Sequence, residues 1–265
     1  MAETHVRVTY VGHATLLLEI GDVRVLTDPN WDLTLGHFLP RVSLPGIVLA
    51  DLPRLDAILL THAHADHLSF DSLDALPRDI PLFAPPAVAR WLHKRGYLHA
   101  LSLAPGEHAR IGSVDIAAAS AKHFGARYVV DRWRAAANMY LLATKSASLF
   151  FAGDTALTAE SHRLVADEIQ AFGRQLDVAL LPIGHAPWWK PGFRRGHLTS
   201  HDALELFDRL NARMFIPYHW GTFDHVTSTA FDAIDRLRTQ LADYHRRADV
   251  RILEPGASLE IEIAL

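Results

Sequence analysis

The sequence contains no cysteine among its 265 residues. Disulfide bonds, thiol redox chemistry and thiolate metal ligands are therefore all excluded. Any metal site in this chain must be built from imidazole and carboxylate groups. Histidine is abundant, with 17 residues, so such a site has material to draw on.

The sequence also lacks a positive net charge and a long apolar run. Its formal net charge is −4, so it has no global basic field of the kind that nucleic-acid binding usually needs. No segment supplies the roughly 18 consecutive apolar residues of a membrane-spanning helix, and the first residues lack the basic and apolar regions of a signal peptide. We expect a cytoplasmic protein without nucleic-acid partners or integral membrane association.

The overall composition is that of a globular protein, with 49% hydrophobic and 21% charged residues. The length favours one large domain, residues 1–265, because no linker or repeat interrupts it. Two β-rich runs joined by Gly21-Asp22 indicate an antiparallel opening, and residues 29–53 indicate a long loop. Helices and strands then alternate. This order predicts an α/β (α+β) fold, a four-layer αββα sandwich.

Periodicity and turn residues locate the individual elements of this sandwich. Strands are predicted over 6–11, 15–20, 23–27, 57–61, 82–83, 114–119, 139–143, 149–152, 178–182 and 214–217. Helices are predicted over 70–76, 87–95, 159–172, 200–210 and 229–245.

The densest group of potential metal ligands directly follows the apolar strand predicted to end at Thr61. Four ligating side chains occur within six residues there, separated by alanine: His62, His64, Asp66 and His67. Histidine and aspartate are costly to bury unless they are paired or bound to metal, and a turn after a strand holds such side chains rigidly. The pattern favours a metal site over the alternative, a solvated histidine-rich loop.

Three further candidate ligands, His123, Asp154 and His219, each follow a predicted strand. Each has an ordinary alternative role. Asp154 could cap the next helix, and a lone histidine after a strand is more often structural than a ligand. As a set they favour metal binding, because α/β proteins gather functional side chains at the carboxyl ends of strands. Two metals also need more ligands than the dense group supplies.

The order of these motifs resembles the metallo-β-lactamase superfamily over nearly the whole chain. A His-x-His-x-Asp-His run is followed by an isolated His, a Gly-Asp-Thr and a last His. Five segments more closely resemble bacterial relatives of N-acylphosphatidylethanolamine-hydrolysing phospholipase D: Gly12-His13-Ala14-Thr15, Leu26-Thr27-Asp28-Pro29, Phe151-Ala152-Gly153-Asp154-Thr155, Pro182-Ile183-Gly184 and His219-Trp220-Gly221-Thr222-Phe223. The ascorbate-phosphate lactonase group is a more distant neighbour.

This resemblance implies a role for each candidate ligand in a centre of two metals. The first metal would be held by His62, His64 and His123, the second by Asp66, His67 and His219, and Asp154 would bridge them. A carboxylate has two oxygens and can contact two cations, whereas an imidazole has one free lone pair. Zinc is the expected metal, and manganese or iron are alternatives.

Asp28 and His13 are expected to support the ligands. Asp28 would orient the ligating loop by hydrogen bonds, and its alternative role is to form a turn before Pro29. His13 ends the first predicted strand, where it would either face the site or lie in the core.

The segment before the helix predicted at 200–210 supplies candidate substrate contacts. His197 matches a histidine that the phospholipase relatives carry near the substrate, although it could also be a loop residue beside a Ser200 helix cap. The neighbouring aromatic and basic residues would suit a small anionic, partly apolar substrate. These are Trp188, Trp189, Lys190, Arg194 and Arg195. A packed surface loop would contain the same residue types.

The resemblance implies a hydrolase in which a metal-bridging hydroxide attacks the substrate. Asp66 would orient the hydroxide, and His197 would donate a proton or a hydrogen bond. A phosphodiester is the expected substrate, and a lactone or another ester is the alternative. The loops at 29–53 and 184–197 would set specificity.

Proteins of other classes share this fold. An iron oxidoreductase is disfavoured because diiron flavoprotein relatives usually carry Glu where this chain has His64. A nuclease is disfavoured by the acidic charge balance. A non-catalytic metal-binding protein would typically have lost ligands, and here the set is complete. The sequence leaves the formation of homo-oligomers open.

Overall fold

The computed structural model describes residues 4–36, 39–128, 131, 135–184, 192–224 and 228–263. The strands are β1 (Thr4–Gly12), β2 (Thr15–Ile20), β3 (Val23–Thr27), β4 (Thr34–Leu35), β5 (Leu39–Pro40), β6 (Ala57–Leu59), β7 (Leu82–Ala84), β8 (Ala100–Ser102), β9 (His108–Ile111), β10 (Val114–Ser120), β11 (Asn138–Ala143), β12 (Ser148–Phe151), β13 (Val178–Pro182), β14 (Met214–Tyr218) and β15 (Ser258–Ile263). The helices are α1 (Phe70–Asp74), α2 (Pro86–Lys94), α3 (Ala159–Glu168), α4 (Ser200–Leu210) and α5 (Asp232–Leu241).

Two large sheets dominate the fold, and each combines an antiparallel part with a parallel part. The first has the order β15-β1-β2-β3-β6-β7-β8 and becomes parallel from β3 onward. The second has the order β14-β13-β12-β11-β10-β9, and its parallel part runs from β12 to β14. Strands β4 and β5 pair with each other in the long loop.

Side chains of the first sheet divide between two apolar layers, because successive residues of a strand point to opposite faces. In β2, Leu16 and Leu18 join the main core, whereas Leu17 faces the other side. In β6, Leu59 and Ile58 divide in the same way. The second layer contains buried residues of α1 and α2, and α3 and α4 pack on the second sheet. The predicted αββα sandwich is confirmed.

Helix α4 begins with a capping box. The Thr199 hydroxyl accepts a hydrogen bond from the Asp202 N–H, and the Asp202 carboxylate accepts one from the Thr199 N–H. The cap is therefore one residue earlier than the predicted Ser200. Thr158 is the N-cap of α3, so Asp154 does not have the capping role that was its alternative.

The structure differs from the predicted elements at the sheet edges and helix ends. Strands β8, β9 and β15 are not apparent in the sequence, because short or half-exposed edge strands have a weak apolar pattern. The helix predicted over 159–172 ends at Glu168 and is followed by a 3₁₀ turn, and the helix predicted over 229–245 shortens to α5. Within the described ranges, no helix is both long and apolar enough to cross a bilayer.

The strand directions bring the predicted site residues to one edge of the sandwich. Strands β1, β3 and β6 run the same way in the first sheet, as do β10, β12, β13 and β14 in the second. Each candidate ligand follows the carboxyl end of one of these strands. The fold therefore places the ligands together although they come from distant parts of the chain.

Candidate metal centre

Eight ligating side chains meet at this edge in two groups. The first group is His62, His64, His123 and Asp154, and the second group is His13, Asp66, His67 and His219. Within each group the candidate ligand atoms all lie within 4.8 Å of one another. The structure thus brings all seven predicted ligands together and adds His13 to them.

Asp154 lies between the two groups. Its Oδ1 is 3.3 Å from Nε2 of His219, and its Oδ2 is 3.4 Å from Nε2 of His67. The same Oδ2 is 4.0 Å from Nε2 of His123, which belongs to the first group. One carboxylate therefore faces ligands of both groups, as a bridging ligand must.

Asp28 orients the loop that carries four of these ligands, residues 61–68, which we call the ligand loop. Its carboxylate accepts hydrogen bonds from the Thr61 N–H at 2.8 Å and from the Thr61 hydroxyl at 2.6 Å. It also accepts from Nδ1 of His67 at 2.8 Å. Because Nδ1 of His67 is occupied in this way, its Nε2 faces the centre. Asp28 is fully buried, in the supporting position expected for it.

Several polar atoms of the centre are buried without a hydrogen-bond partner. They are Nε2 of His62, His67 and His219, and Oδ1 of Asp154. Leaving one buried polar group unsatisfied costs about 1–3 kcal/mol, so four in one place indicate that something binds them. Imidazole and carboxylate groups suit zinc, manganese or iron. The residues present therefore fit bound divalent cations.

Burial favours the neutral form of several imidazoles. It lowers the pKa of His62 well below its ordinary value, and the neighbouring imidazoles act in the same direction. It also lowers the pKa of His123 to about 4 and that of His13 to about 3. A neutral imidazole keeps a free lone pair, which is the form that binds metal.

The carboxylates of the centre stay ionised despite their burial. Burial by itself raises the pKa of Asp66 and Asp154, but the surrounding imidazoles hold both well below the ordinary value. At His67 burial acts to lower the pKa, but the nearby carboxylates outweigh this effect and hold the pKa well above its ordinary value. At Asp28 burial dominates and raises the pKa. The two aspartates of the centre are thus held in the ionised form, which is the form that binds cations.

Three residues of the centre have left-handed backbone conformations. The φ angle is 56° at His13, 36° at Asp28 and 69° at His219, a region that residues other than glycine seldom adopt. Such strain costs of order 1–3 kcal/mol per residue and clusters at functional sites. Each of the three residues directly follows the end of a strand.

His13 faces the site, one of the two positions expected for it. Its Nε2 is 3.0 Å from Oδ2 of Asp66, and its ring centroid is 4.0 Å from that of His219. Its carbonyl oxygen accepts a hydrogen bond from the His219 N–H at 2.8 Å. His13 therefore contacts two predicted ligands of the second group.

His197 approaches the centre from the 3₁₀ turn Phe193–Arg195. Its Nδ1 is 3.2 Å from the carbonyl oxygen of Phe193, and its ring stacks on the Phe193 ring with centroids 4.5 Å apart. Its Nε2 is 3.5 Å from Oδ2 of Asp154. A carbonyl acceptor requires the proton on Nδ1, so Nε2 is the nitrogen available to exchange a proton at the centre.

The predicted basic and aromatic rim falls only partly within the described residues. Trp188, Trp189 and Lys190 lie outside them. Arg195 is exposed. Arg194 forms an ion pair with Asp202 through two nitrogens, one of them Nε at 3.1 Å from Oδ2. Arg194 is thus held against the cap of α4, and it is not the free cation that the sequence suggested.

A narrow cleft beside the second group combines ligating residues with apolar ones. His13, Asp66 and His219 contribute to it. Its apolar lining includes Leu35, Leu39, Ile183, Phe193 and Phe223. A larger cavity of about 670 Å³ opens at the amino ends of β6 and β7 and contains none of the candidate ligands. The chemistry of the donor groups, rather than cavity size, locates the site.

Two residues that pack against the ligand loop carry no recognisable signal in the sequence. Gly125 has no room for a side chain, because a Cβ atom there would lie 2.6 Å from the Cβ of His62. Asn30 donates hydrogen bonds to the carbonyl oxygens of Ala65 and Asp66 at 3.1 and 3.0 Å. For Asn30, the only hint is its position two residues after Asp28.

Comparison with known proteins gives a family and several relatives. The family sequence model described as the β-lactamase superfamily domain matches residues 23–220, and this range contains all seven predicted ligands. A UPF0173 metal-dependent hydrolase of Exiguobacterium sp. is 30% identical over 260 residues, which cover 96% of this chain and 99% of the relative. N-acyl-phosphatidylethanolamine-hydrolyzing phospholipase D 1 of Caenorhabditis elegans is 26% identical over 255 residues, 89% of this chain and 70% of the relative.

The solved structures include an isothiocyanate hydrolase from Delia radicum gut bacteria. It superimposes with a TM-score of 0.78 and 18% sequence identity, over 97% of this chain and 99% of that one. At this level of identity the likeness concerns the fold alone, and it agrees with the four-layer sandwich described above.

Proposed function

The chain belongs to the β-lactamase superfamily, and on that basis we propose that it is a hydrolase that uses two divalent cations to cleave phosphodiesters. The observation that carries the proposal is the pair of candidate ligand groups that both face the Asp154 carboxylate. The names of two relatives, a metal-dependent hydrolase and a phospholipase D, support the hydrolytic reaction and the phosphodiester.

In this proposal each group of ligands holds one cation. His62, His64 and His123 would hold the first, Asp66, His67 and His219 would hold the second, and Asp154, which faces both groups, would be available to both. Zinc is the preferred ion because the donors are mainly imidazole, and two aspartates without a thiolate also accommodate manganese or iron.

When bound, the two cations supply an activated water molecule and positive charge for the oxygen that becomes negative in the transition state. The remaining steps belong to the side chains. The carboxylate of Asp66, placed by His13 at 3.0 Å, accepts a hydrogen bond from the attacking water and orients it. His197 has its Nδ1 committed to the Phe193 carbonyl, so it carries the proton for the leaving oxygen on Nε2.

The cleft favours a small substrate with an apolar part, because leucine, isoleucine and phenylalanine side chains line it. The anionic phosphodiester would be bound mainly by the cations. A lactone or another carboxylic ester is the second candidate. It is favoured by the ion pair that holds Arg194 against Asp202, because a neutral substrate needs no free arginine.

A panel of chromogenic substrates tests this proposal. Metal-free protein would be loaded with Zn²⁺, Mn²⁺ or Fe²⁺ and assayed with bis(p-nitrophenyl) phosphate, p-nitrophenyl acetate and γ-thiobutyrolactone. Asp154→Ala protein, prepared identically, measures contaminating activity. We expect the phosphodiester to have the highest kcat/KM by about tenfold, which is about 1.4 kcal/mol in transition-state binding. If the lactone is turned over faster than the phosphodiester, the assignment changes to a lactonase. If the wild-type protein is no more active than Asp154→Ala with every metal and substrate, the protein is not a hydrolase of this kind.

A further inference from the structure

The backbone of the ligand loop is held by side chains that lie outside the centre. On the side of the second group, the Asn30 amide nitrogen donates to the carbonyl oxygens of Ala65 and Asp66, at 3.1 and 3.0 Å. Asn30 is almost fully buried, with 1% of its surface exposed. Two hydrogen bonds from one planar amide fix the peptide units on both sides of the Asp66 Cα atom.

Asn30 is itself fixed by Arg41. One terminal nitrogen of the Arg41 guanidinium donates to the carbonyl oxygen of Asn30 at 2.8 Å and to its Oδ1 at 3.0 Å. The guanidinium also lies over the Phe223 ring, 4.9 Å from the centroid, and this ring packs edge-on against His13. These contacts orient the Asn30 amide so that its nitrogen, and not its oxygen, faces the ligand loop.

On the side of the first group, Arg127 plays the corresponding part. One of its terminal nitrogens donates to the carbonyl oxygen of Leu68 at 2.6 Å and lies 3.4 Å from that of Ala63. The Arg127 guanidinium lies 5.1 Å from the centroid of the Phe70 ring. Gly125, two residues earlier, accepts a hydrogen bond from the Ala63 N–H at 3.1 Å. Ala63 lies between His62 and His64, two candidate ligands of the first cation.

We propose that Asn30 and Arg127 are positioning residues that set the two cation sites separately, Asn30 the second and Arg127 the first. The inference rests on the proposed centre of two cations. It follows from which peptide units each side chain holds. Asn30 fixes the backbone of Asp66, whereas Arg127 contacts the carbonyl oxygen between His62 and His64 and holds the end of the ligand loop at Leu68. Residues that orient metal ligands typically contribute 10–100-fold to metal affinity.

Calorimetric titration of Zn²⁺ into metal-free protein tests this separation. Two reference variants, His62→Ala and His219→Ala, each remove one ligand and identify which binding step belongs to which group. We expect Asn30→Ala to weaken by about 10–100-fold the step that His219→Ala abolishes. Arg127→Met should weaken the other step by a similar factor. Arg90→Met removes an exposed guanidinium from α2 and should change neither step.

The thermal midpoint of each metal-free variant distinguishes positioning from a general loss of structure. If Asn30→Ala and Arg127→Met weaken both steps equally, in proportion to a fall in the midpoint, the two residues are merely structural and the inference is wrong. Arg127→Lys keeps a donor and should recover part of the lost affinity, and no recovery would contradict the hydrogen-bonding role. Wild-type protein that binds fewer than two Zn²⁺ ions would instead contradict the proposed function.

Discussion

Substitution of Asp28 tests whether a residue that does not contact the cations directly controls their binding. Replacing it by asparagine keeps the shape but removes one of the two acceptor oxygens, which now serve Thr61 and His67. We expect Asp28→Asn to lower Zn²⁺ affinity by about 10–100-fold, measured by competition with a chromogenic chelator.

Asp177 provides a matched control for that experiment. It is also buried, and it accepts hydrogen bonds from the Ser148 N–H and hydroxyl at 2.9 Å each, next to the start of β13 and away from the ligands. Asp177→Asn should reduce stability and leave Zn²⁺ affinity unchanged. Equal effects of the two variants on Zn²⁺ affinity would show that Asp28 has no particular influence on the centre.

The two arginines beside the site should behave differently. Arg195 is exposed, so Arg195→Ala should raise KM for an anionic phosphodiester by several fold and leave a neutral lactone unaffected. Arg194 is held by Asp202, so Arg194→Ala should act mainly on stability. The loss should be no more than about 1 kcal/mol, because the Arg194 side chain is more than half exposed. Steady-state kinetics with both substrates test this difference. An unchanged KM in Arg195→Ala would show that Arg195 does not bind the substrate.

At the residue scale, the sequence is enough to select the candidate ligands and the supporting residue Asp28, but not Asn30 and Arg127. His62, His64, Asp66 and His67 are adjacent to one another, and their chemistry identifies them. Asn30 and Arg127 do not stand out in this way. They contact the ligand loop across 35 residues in one case and 59 in the other, and only the folded chain shows such a contact.

Strand β6 leads into the ligand loop, and its packing should contribute strongly to stability. Leu59 is fully buried between the two sheets. Leu59→Ala should therefore lower the free energy of unfolding of the metal-free protein by about 2–5 kcal/mol, measured with urea. Leu101, on the edge strand β8, is 44% exposed, and Leu101→Ala should cost no more than about 0.5 kcal/mol. Similar losses for both would contradict the assignment of β6 to the main core.

At the scale of the elements, the sequence predicts the central strands of the two large sheets but misses three of their four edge strands, β8, β9 and β15. The central strands are continuous apolar runs, as in β13, where every residue is buried. By contrast, β15 alternates exposed and half-buried residues along most of its length, so its pairing with β1 is not apparent before folding. The pairing of β4 with β5 within the loop at 29–53 is equally hidden, because each strand has two residues.

At the scale of the whole molecule, the two sheets meet at the centre, so cations bound there should stabilise the entire fold. The first group draws ligands from both sheets, through His62 after β6 and His123 after β10. At a free concentration 100-fold above its Kd, each cation should contribute about 2.7 kcal/mol to folding. Removing both Zn²⁺ ions with a chelator should lower the midpoint of thermal unfolding by roughly 10–20 °C. An unchanged midpoint would mean that the groups do not bind Zn²⁺ in the folded state.

The central claim is that two cations share Asp154, and anomalous diffraction from crystals of the zinc-loaded protein at the zinc absorption edge tests it most directly. The account predicts two peaks per chain. One should lie among His62, His64 and His123, the other among Asp66, His67 and His219, each within bonding distance of an Asp154 oxygen. A single peak, or a second peak out of reach of Asp154, would contradict it.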